Sequence, residues 1–136
     1  MKKITLLFCL LLFHTNFAQS TSAKKEILRL CTRIAELNQT NHLIDNKYQL
    51  FVVSNNLFSD VEGLTVFDNP IMFVPSITNT AVSYINFVSL DFENTNSSKA
   101  VFSYNCQSCQ SWNYEVDFEL KESWVIARTK IELKNK

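Results

Sequence analysis

Two segments near the carboxyl terminus decide the fold: WNYEVDFEL at residues 112–120 and WVIARTKIEL at residues 124–133. In the first segment apolar and polar residues alternate throughout, which is the period of a β-strand with one buried and one solvent-facing side. In the second segment the odd-numbered positions are mainly apolar. The two segments are therefore predicted to form an antiparallel hairpin with both apolar sets on one face.

Charge indicates the same register for this hairpin. A two-residue turn at Glu122-Ser123 places Asp117 opposite Arg128 and Glu115 opposite Lys130 on the solvent face. Opposite charges across a strand pair favour that pairing. Because Glu-Ser is not a favoured two-residue turn, a longer loop stays open as an alternative.

The rest of the chain adds one helix and several further strands. An amphipathic helix is predicted over Ser22–Leu37, where Ile27, Cys31 and Ile34 fall on one face at helical spacing. The apolar runs predict strands at Tyr48–Val53, Val82–Phe92 and Lys99–Cys106, and two brief strands at 63–67 and 71–74 in an otherwise irregular stretch.

These elements predict an α+β fold, with one N-terminal amphipathic helix packed on a curved antiparallel sheet. The carboxyl-terminal part of that sheet is expected to be a four-stranded meander, because its connections are short. Over residues 22–133 this layout resembles that of the cystatins and of nuclear-transport-factor-like domains. The resemblance is one of layout, no motif carries it, and it implies no functional residue.

The first twenty residues have the three parts of a cleavable signal peptide. A basic start at Met1–Lys3 precedes the uncharged apolar block Ile4–Phe13, and small residues follow at Ala18 and Ser20. The apolar block is too short for a membrane-spanning helix, which needs roughly twenty apolar residues. Cleavage after Ala18 and cleavage after Ser20 both stay open. The remainder, 21–136, is expected to be a single compact domain.

The sequence therefore predicts export to the periplasm, the cell surface or the extracellular space. The style of the signal resembles that of bacterial exported proteins. Removing it takes away Lys2 and Lys3 and no acid, so 13 basic residues become 11 against 13 acidic ones, a formal charge of −2. A chain of this balance lacks the basic surface that nucleic acid requires. No second apolar run is long enough to span a membrane. We expect no nucleic-acid partner and no stable membrane span after processing.

Cys106 and Cys109 form the most distinctive local motif, Cys-Gln-Ser-Cys between two predicted strands. A turn brings such positions within the roughly 5–6 Å between Cα atoms that a disulfide needs, and an exported chain meets an oxidising compartment. A disulfide between them is predicted, and a bond from one of them to Cys31 is an alternative. A zinc site that adds Cys31 and His42 is a less favoured alternative. Redox catalysis is disfavoured because the motif does not begin a helix. We expect neither a metal nor a cofactor.

The aromatic side chains of the sheet give the best route to a function. Five of them are predicted to bind a ligand on one face of the sheet: Tyr84, Phe102, Tyr104, Trp112 and Tyr114. In this layout the aromatic face packs on the helix, so most of its rings are expected to be core residues. If the sheet curves and one short helix cannot cover it, part of the face becomes an apolar ligand pocket.

The predicted function is an exported non-catalytic binding module that takes a small apolar ligand or a peptide in the groove between helix and sheet. The alternative is a secreted protein–protein interaction or inhibitor domain that uses a sheet edge or the loops of residues 55–75. An enzyme is disfavoured, because the sequence shows no converging set of acid, base and nucleophile.

Export with cleavage is a first testable prediction. The exported protein should lack its first 18 or first 20 residues, because the small residues that a signal peptidase requires lie there. Intact mass spectrometry, with alkylation before and after reduction, measures the cut and counts the disulfides. An uncut chain of 15.7 kDa that stays in the cytoplasm would contradict the prediction.

Overall fold

The computed structural model describes residues 21–35, 50–66, 69–78, 82–106 and 110–135. Residues 21–35 form a helix, α1. The strands are β1 (Leu50–Val53), β2 (Thr65–Val66), β3 (Asn69–Val74), β4 (Tyr84–Asn94), β5 (Ser97–Asn105), β6 (Trp112–Leu120) and β7 (Trp124–Leu133). The α+β class predicted from the sequence is therefore confirmed.

The strands form a mixed sheet in the order β2-β3-β1-β4-β5-β6-β7, with the two-residue β2 at one end. Strand β1 runs parallel to both of its neighbours, β3 and β4, and every other pair is antiparallel. The meander of β4 to β7 is confirmed. The wholly antiparallel sheet is wrong, and the cystatin-like and nuclear-transport-factor-like layout is matched only in part.

The physical reason for the parallel pairs is the length of two connections. Short links favour antiparallel neighbours, whereas parallel neighbours need a crossover. Residues 54–68 separate β1 from β3, and residues 75–83 separate β3 from β4. Both connections are long enough to return the chain to the same end of the sheet. Strands β3 and β4 lie on opposite sides of β1.

The predicted register of the last hairpin is confirmed over most of its length. Asp117 pairs with Arg128 and Glu115 pairs with Lys130 across the two strands. Arg128 Nε lies 3.2 Å from Asp117 Oδ2, as the charge pattern predicted. Glu115 forms its ion pair with Lys99 of β5, the strand on its other side.

A β-bulge changes the closed end of this hairpin. Leu120 pairs with Trp124, and the loop holds three residues, 121–123, instead of the predicted two. Because the extra residue reverses the alternation of side chains, Trp124 and Ile126 face the side where the sequence predicted Val125. Trp124 is only 6% exposed. The unfavourable Glu-Ser turn and the burial of this indole both favour the longer loop.

The core lies between α1 and one face of the sheet. At its centre the ring of Phe102 stacks on Tyr114, with ring centroids 4.8 Å apart, and on Phe87 at 5.2 Å. The helix contributes small and branched apolar side chains at three- and four-residue spacing, as its amphipathic pattern predicted. These buried helix residues are Ala23, Ile27, Leu28, Cys31, Ile34 and Ala35.

Phe102 gives a direct test of this packing. Phe102→Ala should lower the free energy of unfolding by about 3–5 kcal/mol, because it removes a fully buried ring and leaves a cavity. Glu119→Ala, at an exposed position of β6, should change it by less than about 0.5 kcal/mol. Urea denaturation followed by circular dichroism measures both. A similar loss in the two variants would contradict the proposed core.

Candidate functional site

The five aromatic residues predicted to bind a ligand do not share one face. Four of them lie on the core face: Phe102, Tyr104, Trp112 and Tyr114. Tyr84 lies on the opposite face, because it pairs with Asn105 whereas its neighbour Ile85 pairs with the core residue Tyr104. Side chains alternate along a strand, so a one-residue difference in register separates Tyr84 from the others.

The aromatic residues of the core face fill the space between helix and sheet. Phe102, Tyr104 and Tyr114 are each only 1% exposed, and Trp112 is half-buried. Burial raises the pKa of the Tyr104 phenol, although a side-chain hydrogen bond with Ser83 opposes the shift. The tight packing explains the position of these rings as core residues, and their role in ligand binding stays a prediction.

The cysteines take two different positions. Cys31 is a free thiol, fully buried on the core side of α1, and burial raises its pKa well above the ordinary value. It is bonded to neither Cys106 nor Cys109, so the alternative disulfide through Cys31 is not formed. Cys109 and His42 lie outside the described residues, and the loop disulfide stays a prediction. Within the described ranges, no three His, Cys, Asp or Glu side chains lie close enough together to hold a metal ion.

A cleft opens where β1 and β3 end. It has a volume of about 320 Å³. Because these two strands are parallel neighbours, their carboxyl ends meet at the same edge of the sheet. Strands β3 and β4 lie on opposite sides of β1. In sheets with parallel strands, ligands frequently bind in a crevice beyond the carboxyl ends of strands whose neighbours are arranged in this way. The residues that line the cleft are Ser54, Asn55, Asn56, Phe58, Ser59, Phe73, Val74 and Pro75.

The wall of the cleft nearest β1 is a tight turn. Asn55 and Asn56 both have left-handed backbone angles, with φ of 47° and 65°. Leu57 N–H donates to Ser54 O at 2.8 Å, which closes a turn of the type I′ form. Asparagine adopts this conformation more readily than other side chains that carry a Cβ. The Asn55 side chain also donates from Nδ2 to Phe87 O of β4 at 3.1 Å, so the turn is fixed to the sheet.

The floor of the cleft is aromatic. Phe58 is buried and packs edge-to-face against Phe87, with ring centroids 4.9 Å apart. On its other side it stacks with Phe73 of β3 at 5.9 Å. Aromatic pairs of this geometry stabilise by roughly 0.5–1.5 kcal/mol each beyond the burial of their surface. The loop is therefore held by the same core that holds the sheet.

A polar contact ties the far side of this loop to the helix. Thr21 Oγ1 and Lys24 Nζ each donate to the Asp60 carboxylate, both at 2.8 Å. Partial burial raises the pKa of Asp60, but the hydrogen bonds from Lys24 and Thr21 outweigh it, so the pKa lies below its ordinary value. The first turns of α1 therefore brace the loop that carries the cleft.

The described residues form an α+β fold with a surface cleft, and the lining residues described for that cleft carry no charge. Comparison with known protein families, with curated proteins and with solved structures finds no match to this chain. In the described part of the chain no helix is long and apolar enough to cross a membrane. The function is therefore argued from the cleft itself.

Sequence reasoning did not find this cleft. It described residues 55–75 as an irregular stretch with two brief strands, which correspond to β2 and β3, and named the loops there only as an alternative interaction surface. The cleft is formed by two segments that meet because β1 and β3 are parallel, a pairing that the sequence pattern did not predict. One local signal was available: Asn55-Asn56 directly follows the apolar run of β1, and consecutive asparagines are typical of a left-handed turn.

The brace at Asp60 gives a testable pH dependence. Because its pKa is lower in the folded chain than the ordinary 3.8, the ionised carboxylate stabilises the fold above that value, and this contribution is lost as the pH falls through the lowered pKa. Asp60→Asn should lower the free energy of unfolding at neutral pH by roughly 1 kcal/mol. It should also make this free energy decrease less steeply as the pH is lowered. Asp91→Asn, at an exposed position of β4, is the matched control.

Urea denaturation from neutral pH into the acid range measures both variants. An acid dependence that Asp60→Asn leaves unchanged would contradict the brace.

Proposed function

We propose that this chain is an exported, non-catalytic binding module that takes an uncharged ligand in the cleft at the ends of β1 and β3. The observation that carries the proposal is a cleft of about 320 Å³ in which none of the described lining residues has an ionisable side chain. Sites for small ligands commonly have volumes of a few hundred cubic ångströms and a mainly apolar lining with a few polar groups. The signal-like first twenty residues support export.

The lining fits a ligand with both an apolar and a hydrogen-bonding side. Half of it is apolar, from Phe58, Phe73, Val74 and Pro75, and half is neutral and polar, from Ser54, Asn55, Asn56 and Ser59. Asparagine and serine offer donors and acceptors for hydroxyl or amide groups. A charged group would lose its hydration there without gaining an opposite charge, which is costly. The cleft therefore favours an uncharged ligand.

The cleft is a different site from the groove between helix and sheet that the sequence predicted. The groove between helix and sheet is filled by stacked rings, with Phe102 and Tyr114 only 4.8 Å apart between centroids. The cleft lies in the 55–75 region that the alternative hypothesis named as an interaction surface. Binding is favoured over acid–base catalysis at this place, because none of the lining side chains that the structure describes titrates near neutral pH.

Filling the cleft tests the proposal. Ser59 is exposed at its rim, and Ser59→Trp should fill much of it and weaken ligand binding at least tenfold. Ser123→Trp, at an exposed position of the β6–β7 loop, adds the same side chain away from the cleft and should have no effect. Titration of ¹⁵N-labelled protein with neutral oligosaccharides and with blocked, uncharged short peptides measures binding by NMR.

The amides that shift should cluster at residues 54–59 and 73–75. Shifts that cluster instead on Tyr104 and Trp112, and that Ser59→Trp does not change, would contradict the proposal and favour the groove between helix and sheet.

A further inference from the structure

Among the strands that the structure describes, none covers the whole outer edge of β3. Strand β2 pairs only with Asn69 and Pro70, and one further hydrogen bond, from Ile71 N–H to Leu64 O at 3.0 Å, continues this contact. Beyond Ile71, the residues that the structure describes place no strand on this side of β3. The open edge therefore begins in the middle of β3, next to the cleft.

The alternation of backbone groups determines which residue faces this edge. Successive residues of a strand direct their N–H and C=O groups to opposite sides. The backbone N–H and C=O of Ile71 are directed towards β2, because the N–H donates to Leu64 O. The backbone groups of Met72 are therefore directed towards β1, where Met72 is in register with Phe51. The backbone groups of Phe73 are directed away from β1. Among the described residues, no strand pairs with the N–H and C=O of Phe73 on that side, so an added strand can pair with them.

The open residue also belongs to the cleft. Phe73 lines the cleft together with the two residues that follow it, Val74 and Pro75. An extended chain that pairs with the Phe73 backbone therefore runs beside the cleft, and every second side chain of that chain points to the face of the sheet where the Phe73 ring lies. An added chain can therefore pair with the backbone of Phe73 and place one of its side chains in the cleft at the same time.

We infer that the ligand is an extended segment of another polypeptide, which adds to the edge of β3 through the backbone of Phe73 and places an uncharged side chain in the cleft. The side-chain part of this inference rests on the proposed function. The backbone part rests on strand geometry alone. Adding a strand to a sheet edge is a recurring mode of peptide recognition, in which main-chain bonds give affinity and a pocket gives specificity.

The two edges of the sheet differ in how they resist such pairing. The longer edge strand, β7, carries a bulge and the exposed charges of Arg128, Lys130 and Glu132. Bulges and charged side chains are the usual means by which an edge strand avoids pairing with other chains. The segment 69–75 contains no charged residue, and Met72 is 42% exposed. The edge of β3 therefore lacks the charged side chains that protect the edge of β7 from pairing with another chain.

The geometry also limits the contact. Pro75 has no N–H to donate, so the next residue that would face the edge after Phe73 offers only its carbonyl group. The backbone pairing is short. Affinity must then depend on the side chain in the cleft, whose lining is neutral, so the partner segment is expected to place an aliphatic, aromatic or amide side chain there.

Blocked pentapeptides test the inference on the mature full chain. The probes are acetylated and amidated peptides of valine and threonine with a central leucine, phenylalanine, asparagine, lysine or glutamate. Those with an uncharged central residue should bind at least tenfold more tightly than those with lysine or glutamate. Methylation of the peptide nitrogen that faces β3 should weaken binding at least tenfold.

Hydrogen exchange supplies the readout that a different binding mode would not give. In the free protein the Phe73 amide should exchange fast and the Met72 amide slowly, because only the latter faces β1. Saturating peptide should slow exchange at Phe73 at least tenfold and leave Met72 unchanged. Ser59→Trp should weaken the peptide, while Ser123→Trp should not.

The outcomes separate this inference from the proposed function. If neutral oligosaccharides shift residues 54–59 and 73–75 while no peptide protects Phe73, the proposed function stands and the peptide inference is overturned. If peptides protect the amides of 128–133 instead, the β7 edge is the docking site and the inference is again overturned. If no probe perturbs the cleft, both are overturned.

Discussion

A column of four aromatic rings holds the candidate site to the sheet. Phe58 packs on Phe87, Phe87 on Phe102, and Phe102 on Tyr114, with centroid separations of 4.9, 5.2 and 4.8 Å. The column begins in the loop after β1 and ends in β6, so it connects the parallel and antiparallel parts of the sheet. Each contact contributes roughly 0.5–1.5 kcal/mol beyond simple burial. Phe58, together with the buried Val61 and Leu64, therefore anchors this loop in the core.

The column fixes the loop that forms one wall of the cleft. The turn at Asn55-Asn56 precedes Phe58 closely, and burial of that ring offsets the cost of two left-handed residues in succession. The Asn55 amide and the Asp60 carboxylate add two further attachments, one to β4 and one to α1. A site held from three directions loses little conformational entropy on binding, which favours affinity from a small contact.

The fold was predictable where the information is local. The bounds of β6 and β7 follow from strict alternation in one segment and a charge pattern in the other, and the helix follows from its apolar face. The bulge in β7 was not predictable, because it depends on burial of Trp124 against the core, including its ring contact with Phe92 at 6.0 Å. Tyr84 was assigned to the wrong face for a similar reason: its side depends on the register with β5, which a bulge in that strand pair alters.

The sequence by itself determined the class of the fold, the carboxyl-terminal meander and the amphipathic helix, because each is encoded in the period of neighbouring side chains. Only the tertiary structure decided the strand order. The positions of β3 and β4 on either side of β1 depend on long connections and on the burial of Phe58, which no local period records. The cleft and the open backbone of Phe73 follow from that order. The site therefore depends on long-range packing, and from the sequence its region was predictable only as an irregular stretch with two brief strands.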